Sequence, residues 1–249
     1  LRADSKTIIE AKDRKEHWRE EVAAGMRVGL PLAIGYLPTA LTFGMLSQTA
    51  GIPAYVAVLM SLIVYAGASQ FVGINMLTSA AAAPEIVLAT FILNFRLFLM
   101  TTAIARKLEP TSRSQRALVA FGVTDESFAV ASMRSGGHAL SVAYMLGLNS
   151  IGFLAWNAGT WLGLILSEGL PTVIQNSMGV SLYVMFIALL VPGLRTSRPA
   201  LGVAAIAVLC SCVLVYAPLF QGLGSGWRMI MATVIASACG AVFWKEGLS

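Results

Sequence analysis

From Val28 to Pro84 the chain carries no charged residue, an uninterrupted run of 57 positions. About 20 predominantly apolar residues cross a bilayer, so this run holds more than one pass. Residues 28–49 read as a first span, with Pro31, Gly35, Pro38 and Gly44 inside it. Gly51-Ile52-Pro53 is a turn signal. Residues 54–82 come next and are long enough for two shorter helices. Residues 86–105, 139–166, 172–194, 200–220 and 227–244 read as further spans. Residues 117–133 are apolar except at their centre. The pattern predicts an all-α polytopic membrane protein. It has about six full transmembrane helices plus two broken or re-entrant segments, at 54–82 and 117–133.

The first of those segments is the most informative. Its apolar residues are interrupted by Gly67, Ser69, Gln70, Gly73 and Asn75. A helix that only had to span would be better made of Leu and Ala. In hydrocarbon each backbone group without an internal partner costs several kcal/mol, so irregular backbone is tolerated only where it lines protein or a polar cavity. Small residues also serve close helix packing. Gln70 and Asn75 exceed what packing needs, which favours a substrate-lining break.

Composition agrees with the class. The chain is 57% hydrophobic and 12% charged, against about 25% charged in soluble domains. Long continuous apolar runs do not fit the short alternating strands of a β-barrel. The formal charge of +5 sits mostly at the ends of apolar runs and reads as topology rather than nucleic-acid binding. Residues 1–27 hold seven Lys/Arg and six Asp/Glu. Apolar positions there (Ile8, Ala11, Trp18, Val22) fall near helical spacing. The expectation is an amphipathic helix on the cytoplasmic membrane surface, followed by one transmembrane domain at 28–245. The mixed charges ahead of the first apolar run do not read as a signal peptide, and Leu1 in place of Met reads as a trimmed start. Cys210, Cys212 and Cys239 lie in apolar segments and give no disulfide framework.

Basic loops prefer the cytoplasm. If all eight apolar runs crossed, the loop with Arg106, Lys107, Arg113 and Arg116 would lie outside. If 54–82 and 117–133 each dip in and return, then residues 1–27, that loop, Arg195, Arg198 and Lys245 are all cytoplasmic, as are both termini. Only Arg228 then stays near the outer face. One unit would enter from outside and the other from inside, as inverted repeats do. The sequence likeness between them is slight: Gly67-Ala68-Ser69-Gln70-Phe71 against Thr124-Asp125-Glu126-Ser127-Phe128.

Arg96 is the eleventh of the twenty residues from 86 to 105, with Asn94 two positions earlier. An arginine at mid-span costs roughly 2.5–3.5 kcal/mol on insertion scales. Asp125 and Glu126 lie midway between Arg116 and Arg134. Two adjacent acids on an apolar segment repel if both are ionised, so one is protonated, paired or exposed to water. Either Arg96 and an acid merely lock the bundle, or they form a polar centre for an ionic or zwitterionic ligand. Ionisable residues at membrane depth favour function. Arg96 or broken-helix N–H groups would meet an anionic group, and Asp125 and Glu126 a cationic group or a coupling proton. His17 and His138 have no metal spacing, and no nucleophile–base set points to an enzyme; no cofactor is expected. A channel stays open as an alternative. Gly147, Gly152, Gly159 and Gly163 mark a close-packed face, within the chain or against a second subunit.

These residues also carry a resemblance. Pro38 with Phe43-Gly44, the block Ala66-Gly67-Ala68-Ser69-Gln70-Phe71, Asn94-Phe95-Arg96, Thr124-Asp125-Glu126-Ser127-Phe128 and Trp156-Asn157-Ala158-Gly159-Thr160 resemble the AzlC-type branched-chain amino acid exporters over about residues 20–245. Such proteins often carry His after the Asn-x-Arg and Tyr a few residues on, where Leu97 and Met100 stand here. The resemblance implies the large subunit of a two-component exporter in the bacterial inner membrane. It implies a small AzlD-type membrane partner and valine, leucine, isoleucine and methionine as substrates. It also points to Gly67, Ser69, Gln70, Phe71, Asn94, Arg96 and Phe128 for substrate, and Asp125 with Glu126 for proton coupling.

Overall fold

A computed structural model describes residues 5–135, 139–167, 197–220 and 222–244, with isolated positions between 187 and 195. His138, Gly169, Lys245 and nearly all of the expected span at 172–194 lie outside the described residues.

The described residues are all helical apart from turns, one isolated backbone bridge and the connections. The helices are α1 (Ser5–Thr49), α2 (Ala54–Leu59), α3 (Gly67–Thr78), α4 (Ala83–Lys107), α5 (Arg113–Phe121), α6 (Asp125–Ser135), α7 (Val142–Leu166), α8 (Arg198–Tyr216) and α9 (Ser225–Phe243). α2 continues into one wide π turn, Met60–Val64. Among the described residues, four helical stretches are long and apolar enough to cross a membrane: Asp13–Thr49, Ala83–Lys107, Arg198–Tyr216 and Gly226–Phe243. The protein is a polytopic membrane protein. α7 matches α4 in length, but its Asn149, Asn157 and Thr160 face protein rather than lipid. α1 runs without a break through residues 27 and 28.

α1 and α7 form the spine. Gly25 lies against Tyr144 and Leu148, and Gly29 against Leu148 and Ile151. Gly159 meets Leu37 and Ala40, and Gly163 meets Leu41 and Gly44. Residue numbers rise together along both helices, so the pair is parallel. The glycines matter here because a Cβ at Gly159 would stand 2.6 Å from the Ala40 Cβ; such close approach is what small residues permit at membrane depth. Gly147, Gly152, Gly159 and Gly163 thus pack within the chain, against Val22, Tyr36 with Tyr65, Ala40 and Leu41.

α4 runs the other way. The Leu140 amide donates to the Lys107 carbonyl at 2.7 Å, the Glu109 amide to the Leu140 carbonyl at 3.0 Å, and the Val142 amide to Glu109 Oε1 at 2.9 Å. The end of α4 is therefore fastened to the start of α7, and α5 and α6 leave from and return to that same end of the bundle. At the return, Arg134 pairs with Glu21 of α1 at 3.1 Å and covers the Tyr144 ring at 3.8 Å. The connection between α5 and α6 reaches inward to Asn149, whose Nδ2 donates to the Val119 carbonyl at 3.0 Å. Asn149 is about 10 Å along α7 from its start at 1.5 Å per residue.

α2 and α3 do the same from the opposite end. Ser61 Oγ meets Thr160 Oγ1 at 2.8 Å, and the turning point Tyr65 packs its ring 5.1 Å from Phe153. The chain then climbs back, with Phe71 on Phe43 at 5.6 Å and Met76 near Ile230. α4 and α9 start together there, where the Trp227 amide donates to Glu85 Oε1 at 3.0 Å. The two turning points meet: the Tyr65 and Phe121 rings are 6.3 Å apart. α8 and α9 are antiparallel, with Gly202 under Trp244. Arg106, Lys107, Arg113, Arg116, Arg134 and Arg198 consequently share one end of the bundle, and Arg228 stands at the other.

Candidate functional site

Two helices begin at mid-depth. α6 has a side-chain cap, because Thr124 precedes it. Thr124 Oγ1 accepts from the Ser127 amide at 3.3 Å, and Ser127 Oγ accepts from the Thr124 amide at 2.9 Å. This is a reciprocal cap with Ser in the place of Glu or Gln. It fixes Asp125 and Glu126 in the first turn, where the helix dipole favours negative charge. α3 has no such cap: Ala66 precedes it, extended at φ −133°. First-turn amides of a helix lack intrahelical partners, and Gly67 and Ala68 of that turn line the space before α6.

The preceding Tyr65 is left-handed, at φ 44° and ψ 42°. For a residue with a Cβ this costs roughly 1–2 kcal/mol. Phe121 and Phe153 hold the ring in place, and the hydroxyl passes over Gly152, where a Cβ would stand 3.0 Å from it.

Between the two helix starts lies a cavity of about 40 Å³, lined by Tyr36, Tyr65, Ala66, Gly67, Ala68, Arg96, Leu97, Thr124, Asp125, Glu126 and Trp156. That is room for one or two waters. Arg96 Nη1 stands 3.0 Å from Asp125 Oδ1. The Tyr36 hydroxyl donates to Glu126 Oε2, and Thr124 Oγ1 lies 2.6 Å from the Tyr36 oxygen. Tyr36 has one proton and gives it to the carboxylate, so Thr124 is the donor in the second bond. Trp156 is buried, and its Nε1–H has no partner among the described residues. Its six-membered ring lies over Gly67, where a Cβ would come within 2.6 Å of Cη2.

Of the residues singled out by sequence, the structure brings Gly67, Arg96, Asp125 and Glu126 into the cavity wall. The others stand behind it. Ser69 Oγ donates to Asn94 Oδ1 at 2.5 Å, clamping α3 to α4. Gln70 Nε2 donates to Ser61 Oγ at 3.0 Å, and Thr160 Oγ1, the next in line, donates to the Trp156 carbonyl at 3.0 Å. Phe71 belongs to the apolar cluster around Phe43, and Phe128 to that around Val119 and Leu140. Tyr36, Tyr65, Thr124 and Trp156 were not among the sequence candidates. Thr124 and Ser127 at cap spacing, and Tyr36 set between Gly35 and Pro38, are the signals that mark them.

The arrangement defines a class: a multi-pass helical membrane protein whose ionisable residues gather at mid-depth where two interrupted helices meet. The chain belongs to the AzlC protein family, which matches residues 31–170 and so includes every residue of the cavity wall. An uncharacterized membrane protein of Archaeoglobus fulgidus is 32% identical over 213 residues, 82% of this chain and 93% of its own. Inner membrane protein YgaZ of Escherichia coli K12 is 30% identical over 181 residues, 70% of this chain and 74% of its own. Branched-chain amino acid transport protein AzlC of Bacillus subtilis is 27% identical over 116 residues, 45% of each chain. No solved structure matches the chain. The chain is thus distantly related to a branched-chain amino acid transport protein.

Proposed function

We propose that this chain is the large subunit of an exporter of branched-chain amino acids, with valine, leucine, isoleucine and methionine as substrates. It works in the bacterial inner membrane, coupled to the proton gradient and assembled with a small membrane subunit. The observation that carries this reading is the meeting of two half-depth helix starts, one neutral and one acidic, around Arg96. A zwitterion needs a cationic or N–H-rich pocket for its carboxylate and an anion for its ammonium. Arg96 and the open first turn of α3 supply the first, and Asp125 and Glu126 the second. In the absence of substrate Arg96 and Asp125 neutralise each other. A zwitterion inserted between them replaces one ion pair by two, so neither charge is left unpaired at depth.

The 40 Å³ cavity is too small for an amino acid, so loading requires the two units to part. Each unit is tied to its own end of the bundle, which lets the site open to one side at a time, as in transporters built from inverted repeats. The gathering of basic residues at one end supports a cytoplasmic assignment for that end and for both termini. Residues 1–27 then lie at the cytoplasmic side, the last of them packed on the start of α7, and 28–245 form the transport domain. The substrate-binding set is Gly67, Arg96 and the walls supported by Ser69, Gln70, Phe71, Asn94 and Phe128; Asp125 and Glu126 carry the coupling role.

The test is counterflow of labelled leucine in proteoliposomes, with and without an imposed pH gradient. Accumulation that follows the gradient is expected. Passive flux of unrelated small solutes at the same rate would replace the transporter by a pore.

A further inference from the structure

We infer that an apolar pocket beside Arg96, between α3, α4 and α9, receives the side chain of the transported amino acid; this rests on the transporter reading above. The pocket is a half-open groove of about 650 Å³, within the roughly 300–1,000 Å³ of ligand sites. Its walls include Val72 of α3, Ile92, Phe95 and Leu99 of α4, and Met229 and Thr233 of α9. Ala68 and Arg96 border both this pocket and the polar cavity.

This division matches the substrate. The polar cavity has the charges but not the volume, and the neighbouring pocket has the volume and a mostly apolar wall. A head group held at Arg96 and Asp125 would direct its side chain past Ala68 toward α9. Aliphatic and thioether chains bury apolar area there, at roughly 25 cal/mol per Å². A charged chain would be stripped of water without a partner. Lipid is a poorer occupant, because the Arg96 side chain is 45% exposed and hydrocarbon against a guanidinium is costly. A substrate covers that arginine and gives it a carboxylate.

The experiment uses the full chain in proteoliposomes, together with any small membrane subunit that co-purifies. Labelled leucine counterflow is competed with unlabelled glycine, alanine, valine, leucine and methionine. Thr233→Trp fills the pocket from α9, away from the polar cavity, and Ala68→Leu closes the seam. Each should shift competition from leucine and methionine toward alanine by about tenfold or more, the scale of discrimination for methylene groups in an apolar pocket. If Ala68→Leu fails to fold, Thr233→Trp decides alone. Wild-type preference in folded Thr233→Trp overturns the inference and leaves transport standing, and loss of a co-purified subunit in that variant would reassign the pocket to a partner helix. Loss of counterflow for every amino acid in folded Thr233→Trp overturns it too. No amino-acid counterflow by the wild-type protein overturns both readings.

Discussion

The two interrupted units do the same architectural job with opposite chemistry. Both begin and end at one end of the bundle and turn at mid-depth. The α2–α3 unit turns at a strained tyrosine, starts its returning helix without a cap and contains no charge. Its polar residues are spent on neutral partners, with Ser69 on Asn94 of α4 and Gln70 on Ser61, which meets Thr160 of α7. The α5–α6 unit turns at Gly122, caps its returning helix with Thr124 and sets two acids in the first turn. Its polar residues reach outward, to Arg96 of α4 and Tyr36 of α1. A neutral unit locked by hydrogen bonds between uncharged groups is a fixed wall. A charged unit held through its own carboxylates is released when Asp125 or Glu126 takes up a proton. Under the proposed function, recognition falls to the first unit and coupling to the second.

The largest expected effect follows from breaking the charged unit's attachment. Arg96→Leu leaves Asp125 without its cation and removes the positive charge from the cavity wall. Leucine counterflow should fall to background. Asp125→Asn should abolish pH-driven uphill movement while leaving expression and detergent stability intact, and Glu126→Gln should do less. Unchanged pH dependence in both amide variants would make the pair structural and erase the proposed difference between the units.

Next comes the neutral tip. Gly67→Ala drives a Cβ into Trp156, and overpacking of this kind costs about 1–3 kcal/mol. Thermal stability should drop measurably and counterflow should fall several-fold. Tyr36→Phe is milder. It removes the hydroxyl between Thr124 and Glu126, a hydrogen bond to a charged group worth about 1.5–3 kcal/mol, and should alter the pH profile more than the leucine KM. The smallest effect is Ser61→Ala. It breaks the link from Gln70 to Thr160 at about 1 kcal/mol, and should lower stability with transport near normal. A transport defect at Ser61 larger than that at Tyr36 would reverse the roles given to the two units.

Much of this could be read in the chain. Polar residues inside an apolar run marked residues 54–82 and 117–133 as irregular, because orphaned backbone is intolerable in hydrocarbon. Arg96, Asp125 and Glu126 stood out for the same reason, and the structure puts them in one cavity wall. Residues whose role depends on packing were harder to read. Ser69, Gln70 and Asn94 have the chemistry of ligand contacts, yet their partners are one another and Ser61. Nothing in one sequence says which of its polar groups are spent internally. Tyr36 and Trp156 look like ordinary membrane aromatics until α1 and α7 bring them beside the two helix starts. The glycines of α7 announced a close contact, but its partner was set by the third dimension and is α1.

The central claim is that two half-depth units enter from opposite faces. Its most direct test is thiol labelling of intact cells with an impermeant reagent, after replacing Cys210, Cys212 and Cys239. Single cysteines at Ala54 and Ser79 flank the α2–α3 unit, and cysteines at Ser112 and Ala139 flank the α5–α6 unit. The account predicts that Ala54→Cys and Ser79→Cys both label from outside, and that Ser112→Cys and Ala139→Cys label only after the membrane is opened. Labelling of Ser112→Cys in intact cells, or opposite outcomes at the two ends of one unit, would contradict it.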